Sequence, residues 1–167
     1  MKQILIPYVQ DALKGTPRPH YLVGKAEISL LEKNEIEFTG MALFPLSDVS
    51  IADRKDHVNV TAVLFALWNA AHLMGREIKR RNFRITKISG NYFKTFLPED
   101  IIDFIVSASF KNVSNSHSQR ERFSLKLIPA EQVEKKVGSL VHGKLRATFN
   151  LKEEKVAEVE CKFVGWN

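Results

Sequence analysis

Residues Val58 to Met74 are apolar on nearly every side, and Asp56-His57-Val58-Asn59 opens the run. A helix without a polar face must be buried over most of its surface. The segments before and after it alternate apolar and polar residues, the pattern of half-buried strands. The expected solution is one long helix wrapped by a curved antiparallel sheet. At 167 residues the chain is long enough for one domain with a full core, and no repeat, low-complexity tract or interdomain linker divides it.

Composition narrows the class. With 44% hydrophobic and 26% charged residues, the chain falls outside the disordered and fibrous ranges. Cys161 is the single cysteine, so no intramolecular disulfide can form, which suits a reducing cytosol. The apolar run Ile4-Leu5-Ile6 is too short for a signal peptide, and Asn59, Asn69 and His72 interrupt the helix well short of a membrane span. A soluble cytoplasmic protein is expected. The net charge of +6, from 25 Lys and Arg against 19 Asp and Glu, favours acidic partners. Its densest cluster is Arg76, Lys79, Arg80, Arg81, Arg84 and Lys87. This is either a solvated face or a dock for phosphates, with Arg80, Arg81 and Arg84 as the candidate contacts to coenzyme A or a carrier protein. No zinc-finger, RNP or helix-turn-helix pattern supports nucleic acid.

Along the chain, Pro7–Leu13 reads as a short helical arm, ended by Gly15 and the Pro17-Arg18-Pro19 break. Ala26, Ile28 and Leu30, then Ile36 and Phe38, alternate with polar residues and form a hairpin around 32–35 that reaches Phe44. The helix runs from Asn59 to Ile78. Asn82–Thr95 is a strand with Gly90 as a bulge site, and Leu97–Asp100 is a turn. Phe104, Val106, Ala108 and Phe110 line one face of the next strand. Val113–Gln119 is a polar loop, Phe123–Leu127 a strand, and Ala130–Val137 a short helix. Leu145, Ala147 and Phe149, then Ala157, Val159, Cys161 and Phe163, complete an α+β layout.

Tyr8 after Pro7, the strand holding Phe38 to Phe44, and His57-Val58-Asn59 followed by the apolar helix to Leu73 together resemble the FcoT-like thioesterase family. Asn91 to Asp100 resembles the strand-turn-strand of hotdog proteins in general. The likeness spans Pro7 to Phe163. It implies a single hotdog domain over 1–167, with 1–20 as an N-terminal arm, that acts on fatty-acyl-CoA or acyl-carrier-protein thioesters. Related members add an amine to enoyl thioesters. The family places tyrosines and asparagines in its pocket, with no carboxylate base. By position Tyr8 matches the N-terminal tyrosine and Asn59 the asparagine at the helix start. The second helical asparagine falls on Trp68, one place before Asn69, a rotation of about 100°. Ile51 stands near the place of the loop tyrosine.

The residues themselves support such chemistry. A thioester carbonyl must be polarised as it becomes an oxyanion, and Asn59 with nearby helix N–H groups could do so. Equally, Asn59 reads as an ordinary N-cap. His57 could serve as general base, with Asp56 orienting it or simply facing the helix N-terminus. Asn69 and His72, three apart, need partners inside an apolar helix, as core groups, dimer-interface groups or site residues. Tyr8 either joins the site or anchors the arm, and His117 among serines reads as solvated. From Asn59 to Asn69 there is no Asp or Glu, so a carboxylate base on the helix is missing. No Gly-x-Ser-x-Gly elbow or metal-ligand spacing occurs.

The expectation is therefore a dimeric acyl-thioester hydrolase using Asn59, Tyr8, His57 and Asn69, with coenzyme A or phosphopantetheine entering only as part of the substrate. Addition to an enoyl thioester and non-catalytic acyl binding are the alternatives.

Overall fold

A computed structural model describes residues 1–31, 34–48, 58–79, 82–112 and 141–166. The elements are β1 (Lys2–Ile6), α1 (Val9–Ala12), a 3₁₀ turn (Pro19–Tyr21), β2 (Leu22–Leu30), β3 (Glu35–Leu43), α2 (Val60–Glu77), β4 (Asn82–Tyr92), β5 (Ile101–Asn112), β6 (Val141–Leu151) and β7 (Glu154–Trp166). The strand at Phe123–Leu127, the helix at Ala130–Val137 and the loop at Val113–Gln119 lie outside the described residues.

Seven strands form one sheet in the order β1-β2-β3-β5-β6-β7-β4, every neighbouring pair antiparallel. The strand that follows α2 in sequence, β4, sits at the edge beyond β7, so the chain crosses the sheet face through the helix. Period-two alternation aims Phe38, Phe104 and Phe149 at α2 from three adjacent strands, all buried. Their rings form a ladder: Phe38 to Phe104 at 6.0 Å and Phe104 stacked on Phe149 at 4.5 Å. Opposite them α2 buries Ala62, Val63, Ala66, Leu67, Ala70 and Leu73, so its small residues let helix and sheet approach closely. One long helix against a mostly antiparallel sheet is consistent with the hotdog arrangement.

The helix ends follow from local chemistry. Asn59 has extended backbone (φ −78°, ψ 159°), and its Oδ1 accepts from the Ala62 N–H at 2.9 Å. At the other end Ile78 is the C-cap, and Lys79 turns the chain with a left-handed φ of 58°.

Four expectations need correction. Lys2–Ile6 joins the sheet as β1, in register from Lys2 opposite Leu30 to Ile6 opposite Ala26, whereas the sequence shows only a short apolar run there. The helical arm shrinks to four residues, Val9–Ala12, with Val9 and Leu13 fixing it to the core. The β4 irregularity lies between Ile85 and Lys87 instead of at Gly90, which pairs with Val159. A Cβ at Gly90 would meet the Glu158 carbonyl oxygen at 3.2 Å and Val159 Cγ2 at 3.3 Å, so glycine there serves close approach. The strand also stops at Tyr92, short of Thr95, because Phe93 and Lys94 N–H both turn to the Val156 carbonyl.

Among the described residues no helix is long and apolar enough to cross a membrane.

Candidate functional site

The start of α2 is tied to the end of β3 and the turn before β5. The Val58 N–H donates to the Phe96 carbonyl at 3.1 Å, and Glu99 N–H donates to the Phe44 carbonyl at 3.0 Å. Leu46 N–H donates to the Glu99 carboxylate at 2.7 Å. Beneath these bonds the rings of Phe96, Phe44 and Tyr21 pack in sequence at 6.0 and 5.1 Å. Val60, Leu46 and Leu97 are exposed. Asn59 opens the helix, its Oδ1 engaged as the cap. N–H groups of a first helical turn lack intrahelical acceptors and carry partial positive charge, so a carbonyl oxygen reaching that turn would meet donors.

The other sequence candidates are scattered. Asn69 is fully buried, and its Nδ2 donates to the carbonyls of Pro17 at 3.1 Å and Arg18 at 2.9 Å. Its Oδ1 is buried without a hydrogen-bond partner among the described residues. Ten residues separate it from Asn59, about 15 Å along the helix axis. Tyr8 precedes α1 with its side chain 71% exposed. His72 is half-buried, and burial, followed by the nearby Arg76 charge, holds its imidazole below the usual value. Arg84 is exposed on β4. His57, Asp56, Arg80 and Arg81 lie outside the described residues.

Sequence reasoning missed one polar cluster entirely. Asp48 is buried, its side chain 3% exposed, and among the described residues its Oδ2 faces His20 and Arg18. His20 Nε2 lies at 2.8 Å and Arg18 Nε at 3.4 Å. A carboxylate only accepts, so His20 Nε2 is the donor. Arg18 adopts a left-handed backbone (φ 52°, ψ 49°), which costs a non-glycine residue about 1–2 kcal/mol. The two Asn69 bonds hold that turn. Asp48 and His20 are 28 residues apart, and no local spacing links them; the only sequence sign is the rigid Pro17-Arg18-Pro19 turn.

At the opposite end of α2, Ala71, Met74 and Ile78 face Ile36, Leu145 and Phe163 across a small apolar cleft, partly open to solvent. Gly75 and Ala108 also border it. The helical positions follow i, i+3, i+4 and i+7 spacing, one continuous face. Among the described residues no group of three or more His, Cys, Asp or Glu side chains is arranged to hold a metal.

No family model matches the sequence, and no curated protein matches it. Solved structures do. Cj0977, described as a sigma28-regulated virulence protein from Campylobacter jejuni, is 12% identical, with 95% of this chain and 88% of that one covered and a TM-score of 0.57. An HP0420 homologue from Helicobacter felis is 11% identical over 95% and 90%, with a TM-score of 0.51. A hypothetical thioesterase from Streptococcus pneumoniae TIGR4, solved with coenzyme A, is 10% identical over 84% of each chain, with a TM-score of 0.44. At such identities, what the first two share with this chain is its fold.

Proposed function

We propose that this protein binds the acyl chain of an acyl-CoA or acyl-carrier thioester and hydrolyses the thioester, as the FcoT-like resemblance implies. The observation that carries the reading is the apolar cleft between α2 and the sheet. Every lining residue named above is apolar, so the cleft suits a hydrocarbon and offers nothing to a sugar or nucleotide. Burying a chain there is worth about 0.8 kcal/mol per methylene. Polarisation of the thioester carbonyl falls to the start of α2, where Asn59 and the first-turn N–H groups gather.

Asn59 and Gly75 are 16 positions apart on one helix, about 24 Å. The hydrocarbon cleft of one chain and its own helix start therefore serve one substrate best when a second subunit brings such ends together. The outer edge of β4 suits that pairing. Among the described residues β4 bonds only to β7, and Ile88 and Tyr92 on it are exposed. In this reading a homodimer is the working unit.

The test is free-thiol release from a panel of short to long acyl-CoAs, with wild type and Asn59→Ala side by side. Loss of an oxyanion donor lowers turnover by at least about 100-fold. Unchanged turnover in the variant keeps the enzyme and rejects Asn59. If wild type releases no thiol across the panel, hydrolysis of CoA esters is refuted.

A further inference from the structure

We propose that the outer face of the sheet docks an acidic helix of a partner protein, on a row of lysines that β4, β7 and β6 bring together. The row lies on the side of the sheet away from α2, and it stands or falls independently of thioester hydrolysis.

Strand register assembles the row. Lys87 stands directly opposite Lys162, and Lys162 directly opposite Lys144. All three are exposed, whereas the alternating Leu145, Cys161 and Phe163 are buried on the inner face. Lys87 reaches the outer face only through the irregularity between Ile85 and Lys87. Residues three apart on a regular strand point to opposite faces. The extra residue in β4 sets Arg84, opposite Val164, on the same face as Lys87, opposite Lys162. One level further along, Lys111 of β5 pairs with His142 of β6 and widens the patch.

The charge of the row is unbalanced. Like charges directly opposite across strands destabilise a sheet. Among the described residues none of Lys87, Lys111, Lys144 and Lys162 has an ion pair. The next level of the same strands is built the other way. There Arg146 is bound by Glu158 and Glu160, and Glu158 also holds Lys155. The sheet thus supplies carboxylates to its neighbouring cations and none to the row, which leaves that place to a partner.

Spacing and extent select the partner. Adjacent strands lie about 4.8 Å apart, so three lysines on three strands span about 10 Å. A helix with carboxylates at i, i+4 and i+7 spreads them over about 10 Å of one face. Laid across the strands, it sets one carboxylate at each lysine. The patch is also short. Glu160 follows two residues along β7 from Lys162, and Glu35 ends the row of Lys144 one strand beyond Ser109. A bilayer or a long nucleic-acid backbone would run on into these carboxylates, whereas a single helix fits between them.

The experiment titrates the isotope-labelled full chain, in low salt, with a synthetic alanine-based helical peptide bearing glutamate at i, i+4 and i+7. Amide NMR shifts are expected on β4, β6 and β7 around the row, and added salt is expected to reverse them. Lys144→Glu combined with Lys162→Glu is expected to weaken binding at least about tenfold. Lys2→Glu combined with Lys14→Glu makes the same change of net charge away from the row and is expected to leave binding near wild type. Lys162→Gln is expected to weaken binding while melting no lower than wild type in low salt, since it relieves repulsion. Shifts that fall elsewhere overturn the assignment, as does an equal loss in the two charge-matched double variants. Equal binding of a peptide with its glutamates scattered around the helix also overturns it. So does a single-stranded oligonucleotide or a phosphatidylserine vesicle that binds the row more tightly than the peptide.

Discussion

Asn69 offers the sharpest test of how the chain positions its N-terminal segment. Its Nδ2 bonds two carbonyls, at 3.1 and 2.9 Å, while its Oδ1 is buried without a partner among the described residues. Asn69→Ala removes two hydrogen bonds worth about 1 kcal/mol each and also removes an orphan oxygen that costs about 1–3 kcal/mol. It further frees the left-handed turn at Arg18 to relax. These terms nearly cancel, so we expect a net change of about 1 kcal/mol or less. Asn69→Asp has the same shape and a larger cost. A carboxylate cannot donate, and it would face two carbonyl oxygens in a buried site. An upward pKa shift of about 3 units corresponds to about 4 kcal/mol. At pH 7 Asn69→Asp is therefore the least stable of the three. Acid reverses the penalty. The introduced carboxyl titrates higher folded than unfolded, so its native state binds the extra proton. Stability of Asn69→Asp thus falls as pH rises above about 4, through the raised folded value. Urea unfolding at pH 4.5 and 7 reads this, and a chain of this length shifts Tm by about 2–4 °C per kcal/mol. An Asn69→Asp protein as stable as Asn69→Ala at pH 7 would refute the assignment of Nδ2 to the two carbonyls.

Other outcomes follow from single contacts. Asn59→Ala should cost about 0.5–2 kcal/mol in urea unfolding through loss of the cap to Ala62, whatever it does to turnover. Gly143→Ala should destabilise by about 2 kcal/mol or more, because a Cβ would press on the Ser109 carbonyl oxygen and come within 2.8 Å of the Phe163 ring; near-wild-type stability would contradict the tight β5–β6 packing. Burial pushes the Cys161 thiol up to about 11, so iodoacetamide at pH 8 should label the native protein far more slowly than the unfolded chain. His72 is held below the ordinary imidazole value, so the unfolded state binds its proton first and stability should decline as pH falls below about 6.5; His72→Gln should flatten that slope.

The helix was the most legible element, because its apolar circumference needs no partner to be recognised and Asn59 marks its start chemically. The inward faces of β5, β6 and β7 were equally readable, from strict alternation at Phe104, Val106, Leu145, Ala147 and Val159. What failed was non-local. Lys2–Ile6 becomes a strand only because β2 offers an edge, and no propensity in five residues reveals that. Gly90 looked like a bulge because a glycine's reason, here a neighbouring backbone, is invisible in one strand alone. The polar site suffered most. His20 and Asp48 meet across 28 residues, whereas Asn69 spoke for itself as a buried amide without showing that it clamps Pro17 and Arg18.

The most direct measurement is calorimetric binding of coenzyme A alone and of acyl-CoAs of increasing chain length to wild type and to Ala71→Phe, which fills the cleft. If the cleft holds the acyl chain, affinity should rise roughly tenfold for every two methylenes until the space is full. A folded Ala71→Phe should lose that dependence. Affinity that is flat with chain length, or a length dependence that survives Ala71→Phe unchanged, would contradict acyl binding in this cleft.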